Sequence, residues 1–331
     1  MDAKIRIIQN DCKNQVDHKQ FMQDVFIGLS KKNKQIQSKY FYDAAGSELF
    51  NQITRHPDYY LTQCELEILT AYKQTFSTLL SNTQPFNLVE LGPGEGIKTR
   101  ILLNQFLEDQ LSFTYYTIDI SRSYLINLVK QLQQQLPQID MVALNSDYLG
   151  GLEWLGLNSN QRNFVLFLGS SIGNFDLAAS KEFLRNLRAS LRKGDYLLIG
   201  FDLLKDIDVL MRAYNDRDGI TRRFNLNLLK RINYELNANF NIDSFYHYGT
   251  YNAYNRAMES YLISRKEQIV SIKALNKSFN FKAFEPIHVE SSYKYLFPQI
   301  KKLADISQFN IIENYTDSNE YFVNSLWQVP N

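Results

Sequence analysis

The segment Glu90-Leu-Gly92-Pro-Gly94-Glu-Gly96 has the residue types of a ligand-binding loop. It ends the apolar run Phe86-Asn-Leu-Val-Glu-Leu91 and opens onto a helical pattern that begins near residue 97. Glycine lets the chain turn sharply after a strand, and it lets backbone N–H groups approach a ligand where a Cβ would collide. Several loops use this property, and spacing separates them. A Walker A loop needs GxxxxGK[ST], whereas Ile97 separates Gly96 from Lys98-Thr99. A dinucleotide fingerprint needs GxGxxG, and the GxGxG spacing falls one residue short of it.

The loop is instead similar to the E/DxGxGxG loop of the Rossmann-like methyltransferases, with the acid Glu90 two residues before the first glycine. That likeness implies S-adenosyl-L-methionine as cofactor and S-adenosyl-L-homocysteine as its product. Two further acids follow in the expected order. The next apolar run closes on Thr117-Ile-Asp119, where a carboxylate can accept both hydroxyls of a ribose. The run after that closes on Ser146-Asp147-Tyr148, an acid for an adenine amino group beside an aromatic for its face. Either acid could instead simply cap the helix that follows it. The glycine loop and the two acids carry more together than any one of them does.

Such residues need a frame that brings several strand ends to one edge. Short β-rich runs at 86–91, 113–120, 141–144, 164–168 and 196–201 alternate with helical patterns at about 97–110, 121–136, 177–193 and 205–213. Nearly continuous apolar strands alternating with helices predict an α/β fold, a mostly parallel Rossmann-like sheet with helices on both faces. Ahead of it, residues 14–38 read as a helix and loop, with Phe21, Val25, Phe26 and Leu29 at helical spacing. Helical patterns at 46–55 and 61–80 are divided by the turn-prone His56-Pro57-Asp58. Beyond residue 240 the pattern turns strand-rich, with antiparallel strands at 246–251, 258–266 and 271–281. A helix near 295–308 and closing strands at 310–315 and 321–328 complete the chain. The expected organisation is an N-terminal helical segment at 1–70 that contributes to a substrate lobe, then a cofactor-binding core at 71–203. An α+β substrate-binding lobe at 204–290 and a return to the core sheet at 291–331 follow.

Composition narrows the function classes. The 331 residues are 44% hydrophobic and 21% charged with a net charge of +1, which argues against a nucleic-acid surface as the main business of the chain. No apolar run approaches the roughly 18 residues that a membrane-spanning helix needs. The first ten residues lack a signal peptide's apolar stretch, so the expected location is cytoplasmic. Cys12 and Cys64 have no metal-site spacing, and His18, His56, His247 and His288 form no HxxxH-type pair, so no metal is expected. With no extra domain or exposed apolar repeat, the expectation is a monomer with a small-molecule partner. The 21 Tyr and 22 Phe fit a hydroxyl-lined pocket or a general aromatic bias, and the second is the commoner case.

From about residue 38 to 328 the chain resembles the histidine Nα-methyltransferases of ergothioneine biosynthesis, which trimethylate the α-amine of free L-histidine to hercynine. The resemblance rests on Lys39-Tyr-Phe-Tyr-Asp-Ala-Ala-Gly-Ser-Glu-Leu-Phe50, Ile53-Thr-Arg-His-Pro-Asp-Tyr-Tyr60 and Val89-Glu-Leu-Gly. It continues through Lys98-Thr-Arg, Phe167-Leu-Gly-Ser-Ser-Ile-Gly-Asn174, Asp202-Leu-Leu-Lys-Asp and Ala213-Tyr-Asn-Asp. Phe224-Asn-Leu-Asn-Leu-Leu and His288-Val-Glu-Ser-Ser-Tyr-Lys-Tyr295 complete it. The resemblance implies that Glu90, Gly92, Gly94, Lys98, Asp119, Asp147 and Tyr148 serve the cofactor, with Gly169 at the floor between the two ligands. It implies that Tyr42, Asn174 and Tyr214 fix the amino-acid backbone for catalysis, and that Tyr59, Glu290 and Ser292 contact the substrate ring. These residue types suit those tasks. An Asn amide can address carboxylate and amine together, Glu290 can accept an imidazole N–H, and Ser292 can serve the other ring nitrogen as donor or acceptor. For Tyr59 and Tyr214 the competing role is interface packing, for Asn174 a turn, and for Glu290 a solvated strand charge.

The chain departs from the pattern at Ser260, where the family carries a pocket methionine; Met258 lies two residues earlier on the same strand face. A smaller polar residue there leaves room for a larger ring or a water. Two other functions therefore stand beside histidine methylation. One is methylation of another amino acid or small amine, and the other is a non-catalytic scaffold that keeps the cofactor fold. A scaffold has no need of both Gly92/Asp119 and Asn174/Tyr214.

Overall fold

A computed structural model describes residues 5–9, 18–83 and 85–330. In chain order the strands begin with β1 (Ile5–Gln9), β2 (Phe86–Leu91), β3 (Phe113–Asp119), β4 (Met141–Asn145), β5 (Arg162–Phe167) and β6 (Tyr196–Asp202). There follow β7 (Phe245–Asn252), β8 (Ala257–Ser264), β9 (Gln268–Ile272), β10 (Lys277–Phe281) and β11 (Pro286–Tyr293). The last two are β12 (Asn310–Thr316) and β13 (Phe322–Gln328). The chain folds into two compact units. The first comprises 1–14, 61–203 and 295–331, and the second 15–60 and 204–294, so the boundaries fall at 60 and 294 where the sequence pattern suggested 70 and 290.

The first unit is built on an eight-stranded sheet in the order β1-β4-β3-β2-β5-β6-β13-β12. The first six strands in that order run parallel, and β13 runs antiparallel to both of its neighbours, β6 and β12. Every residue of β2, β4 and β6 is buried, as expected for parallel strands covered on both faces. The α/β class and mostly parallel sheet are as the alternating pattern predicts. Strand β1 was not anticipated. Its three isoleucines favour a strand, but five residues are too short a run to stand alone, and its place comes from parallel pairing with β4 at the sheet edge. The helix Tyr148–Asn158 was also unforeseen, because its leucines and glycines leave little amphipathic contrast.

The second unit holds a three-stranded antiparallel sheet, β11-β8-β7, and the β9–β10 hairpin. The single strand expected at 271–281 is in fact this hairpin, broken by a 3-10 turn at Lys273–Leu275 and by Asn276 in the left-handed region. The 17-residue helix Ile220–Leu236 was missed because Phe224-Asn-Leu-Asn-Leu alternates apolar and polar residues as a strand does. Both asparagines are buried within the helix. Asn225 donates to the Thr221 carbonyl at 3.0 Å and Asn227 to Asp43 Oδ1 at 2.8 Å. The unit's core is rich in aromatics and aliphatics, including Phe21, Phe41, Phe224, Leu229 and Phe245.

Cys12 lies outside the described residues, and Cys64 is buried in the helix Tyr60–Ser81. Among the described residues there is no metal-holding group of three His, Cys, Asp or Glu side chains, and no helix is long and apolar enough to cross a membrane.

Candidate functional site

In the first unit the chain runs from β2 outward to β3 and β4, then returns to β5 on the other side of β2. This reversal places the ligand crevice of an open α/β sheet at the carboxyl ends of β2 and β5. Gly92 follows β2 with φ +70°, and a Cβ built there would lie 2.7 Å from the Tyr148 hydroxyl. The positive φ and this near neighbour both favour glycine here. Gly94 faces open space. A polar concavity lined by Asn82, Thr83, Asn158 and Arg162 lies at the opposite, amino-terminal ends of β2 and β5, the wrong edge for such a ligand.

Glu90 has a different place from the one expected. It is 3% exposed, and the hydroxyls of Thr99 and Tyr115 each donate to one of its carboxylate oxygens. Burial raises its pKa, and these two hydroxyls work against the rise. Its carboxylate is therefore directed into the protein. It ties the end of β2 to the helix Thr99–Glu108 and to β3, and so anchors both ends of the glycine loop. Contact with the cofactor itself is not the task this geometry gives it.

Asp119 ends β3, and its Oδ1 accepts the Ser121 N–H at 2.7 Å. Asp147 caps the helix Tyr148–Asn158 by accepting the Gly150 N–H at 2.7 Å. Asp147 thus caps its helix, whereas the helix after β3 has Ser121 as its N-cap and Asp119 only accepts from that residue; each acid spends one oxygen on backbone. The Tyr148 ring packs edge-on against Phe167 and Phe183, at 5.6 and 6.2 Å, with its hydroxyl under Gly92. Burial, then the Asp119 charge, raises the Tyr148 pKa. Gly169 follows β5 at φ +75°, and Asn174 is the exposed last residue of the 3-10 turn Ser171–Asn174.

A residue that sequence reasoning passed over holds part of this edge together. Glu65, fully buried in the helix Tyr60–Ser81, accepts the Gly169 N–H on both oxygens, at 3.1 and 2.9 Å. It also pairs with Lys98 Nζ at 2.6 Å. The available signal was an acid sharing a helix face with Leu61, Ile68 and Leu69, at positions i, i+4, i+7 and i+8. An acid on an apolar stripe needs a partner, and this one has two.

The Asp119 carboxyl is pushed up to about 6 by burial, against the pull of the Ser121 N–H. Ribose hydroxyls donate to the ionised form, so ligand binding favours it. Lowering pH through 6 protonates Asp119 and removes an acceptor. If only the ionised form binds, affinity for S-adenosylhomocysteine should fall about tenfold from pH 7.5 to pH 5. Titration calorimetry across that range measures the effect, with Asp119→Asn as a weaker-binding control of flat profile. A flat wild-type profile would contradict the assignment of Asp119 to the ligand.

The second unit assembles the other expected residues. Glu290 and Ser292 lie two apart on β11, so their side chains share one face. Across the sheet Glu290 is paired with Ser260 and Ser292 with Met258. Ser260 is fully buried, and its hydroxyl donates to Glu290 Oε2 at 3.1 Å. The departure from the family's methionine thus supplies a hydrogen bond that steadies the acid. Burial raises the Glu290 pKa, while Ser260 and the charge of Lys294 oppose the rise. Tyr214 donates to Ser292 Oγ at 2.6 Å and packs in a cluster with Leu210, Ala213 and Met258. Tyr59 packs against that cluster and meets Phe50 edge-on at 6.4 Å, and Phe50 meets Tyr42 at 5.5 Å. Tyr42, Tyr59, Tyr214, Glu290 and Ser292 therefore belong to one connected aromatic and polar set. Lys294 lies beside Tyr214 and Ser292.

The parallel sheet, its switch point, the left-handed glycine loop and the acid ending β3 define a Rossmann-like class I methyltransferase core. The family described as histidine-specific, S-adenosylmethionine-dependent methyltransferases matches residues 21–329. The chain belongs to that family, and it is an S-adenosylmethionine-dependent methyltransferase. It is 38% identical over 275 residues to the histidine N-alpha-methyltransferase of Mycolicibacterium smegmatis, covering 82% of this chain and 83% of that one. Likeness to the protein of the same name from Mycobacterium tuberculosis is 36% over 288 residues, covering 87% and 88%. The ergothioneine biosynthesis protein 1 of Schizosaccharomyces pombe is 28% identical over 295 residues, which span 87% of this chain and 38% of that protein.

Proposed function

We propose that the protein methylates the α-amino nitrogen of L-histidine, in successive transfers up to the trimethylated product. The observation that carries this reading is the pair Glu290 and Ser292 on one face of β11, in a chain of the histidine-specific family. Gly92, Gly94, Lys98, Asp119, Asp147 and Tyr148 hold the cofactor in this reading, and Glu90 and Glu65 hold the backbone that carries them. Tyr59, Glu290 and Ser292 take the imidazole ring, and Tyr42 and Tyr214 address the amino-acid backbone.

When bound, S-adenosylmethionine supplies an electrophilic methyl on a sulfonium. The protein's own part is to align the unprotonated amine with that methyl and keep water out. Each of the first two transfers leaves a proton on the nitrogen that must depart before the next, while the third leaves a quaternary ammonium with none to lose. Holding the ring and the carboxylate firmly, and the nitrogen loosely, lets the amine turn between transfers. The Tyr42 hydroxyl can donate to the carboxylate without fixing the amine. The reading includes a small-molecule partner, neither nucleic acid nor membrane, and a monomer acting in the cytoplasm. Mass spectrometry of L-histidine incubated with the protein and cofactor tests it. Products bearing one, two and three added methyls support it, and inert histidine with another amino acid consumed would overturn it.

A further inference from the structure

The buried ammonium of Lys294 takes part in none of the steps above, yet it touches two of the residues assigned to the substrate. Lys294 is 2% exposed. Its Nζ donates to the Tyr214 hydroxyl at 3.0 Å and to Ser292 Oγ at 2.8 Å, and it lies 4.8 Å from the centre of the Tyr214 ring. Tyr214 in turn donates to Ser292 Oγ at 2.6 Å, closing a buried triangle.

The hydrogens of this triangle follow from two facts, that Tyr214 is the donor to Ser292 and that the third corner is an ammonium. An ammonium only donates. The Tyr214 oxygen therefore accepts from Lys294, and its single hydrogen goes to Ser292. The Ser292 oxygen has two lone pairs, and both are filled, one by Lys294 and one by Tyr214. Its own hydrogen must then point out of the triangle, toward an acceptor elsewhere. Glu290, two residues earlier on the same face, has the opposite character as a carboxylate, since it only accepts. The face thus presents one acceptor, Glu290, and one donor, Ser292. The sequence alone left Ser292 free to serve in either sense.

We infer that Lys294 is a positioning residue that makes Ser292 an obligate donor, so that the site selects a ring bearing both an N–H and a lone-pair nitrogen. The neutral imidazole meets this requirement in one tautomer, with its N–H on Glu290 and its bare nitrogen on the Ser292 hydroxyl. The imidazolium does not, because it has two N–H groups and no lone pair. A pyrrole ring satisfies Glu290 alone and leaves the Ser292 hydrogen unpaired, a costly arrangement in a buried site. The inference rests on the reading of histidine as substrate and specifies the ring form that the site takes.

The test compares L-histidine with β-(pyrrol-2-yl)-L-alanine, which has the N–H but lacks the second nitrogen, by calorimetry on the protein saturated with S-adenosylhomocysteine. Wild type should prefer histidine by about 30-fold or more, in line with the ordinary cost of leaving one buried polar group unpaired. In Lys294→Gln the amide still bonds to its neighbours but can also accept, so Ser292 can turn its hydrogen inward. Preference for histidine should then fall about tenfold, while affinity for S-adenosylhomocysteine stays unchanged. Ser292→Ala should lose the same preference, and adding Lys294→Gln to it should change the preference little further. Undiminished preference in Lys294→Gln, or an equal loss of both amino acids, would overturn the inference and leave histidine as substrate. Failure of wild type to bind histidine at all would overturn the substrate reading, and this inference with it.

Discussion

Gly92→Val is expected to lower affinity for S-adenosylhomocysteine by about 100-fold, a loss of about 2.7 kcal/mol, while leaving the protein folded. Two separate costs combine at this position. Gly92 has φ +70°, a region that β-branched residues avoid, and holding one there costs on the order of 1–3 kcal/mol. A Cβ would also stand 2.7 Å from the Tyr148 hydroxyl, so either the loop or the tyrosine must move. Gly92 is exposed, so the strain is relieved by displacing the loop rather than by disrupting the core. Displacement withdraws the backbone N–H groups from the ligand. Combining the substitution with Tyr148→Phe removes the collision but not the dihedral cost, so the double variant should remain well below wild type. Calorimetry with S-adenosylhomocysteine, alongside circular dichroism, reads both quantities. Wild-type affinity in Gly92→Val would show that the loop does not carry the cofactor.

Glu65→Leu is expected to destabilise the protein by about 3 kcal/mol, because it removes one side of a buried ion pair and strands a backbone donor. The Gly169 N–H loses its acceptor, and Lys98 loses its partner. Lys98 keeps some access to water, with its side chain 22% exposed, which holds the cost toward the low end for a broken buried pair. The site is also tight. A Cβ on Gly200 of β6 would lie 2.6 Å from Glu65 Oε1, so a branched leucine packs poorly against that strand. Glu65→Gln keeps the shape and one acceptor for Gly169, and it should lose less than half as much stability. The denaturant midpoint measures both variants. Equal stability of Glu65→Leu and wild type would show that the carboxylate is not what holds the Gly169 turn.

The sequence revealed different parts of this molecule to different degrees. The parallel strands β2 to β6 were legible because most are short apolar runs that stop at or beside Gly, Asp or Asn; β2 and its glycine loop could be placed to the residue. The helix Ile220–Leu236 was not, since two buried asparagines, each donating one hydrogen bond inside the fold, give it a strand-like alternation. β1 is a five-residue, isoleucine-rich run whose place depends on β4, a partner more than a hundred residues away. In the site, residues that meet a ligand were named from motif spacing, whereas residues that act through others were misread or overlooked. Glu90 was assigned to the cofactor but is enclosed by Thr99 and Tyr115, and Glu65 was passed over as part of an ordinary helix. Lys294 was hidden for the same reason: its meaning lies in which atoms it touches, and those come from the helix Ile207–Tyr214 and from β11. Ser260 looked like a vacancy beside the ring and is instead a hydrogen-bond donor to Glu290.

The central claim is that this chain places methyl groups on the α-nitrogen of histidine. Its most direct measurement is transfer from S-adenosylmethionine labelled with carbon-13 on the methyl, followed by NMR of the product. The label should appear on the α-nitrogen, as N-methyl signals that progress to a single trimethylammonium resonance while the two imidazole C–H signals keep the pattern of an unsubstituted ring. Label on a ring nitrogen, or no label on histidine while another amine acquires it, would contradict the account.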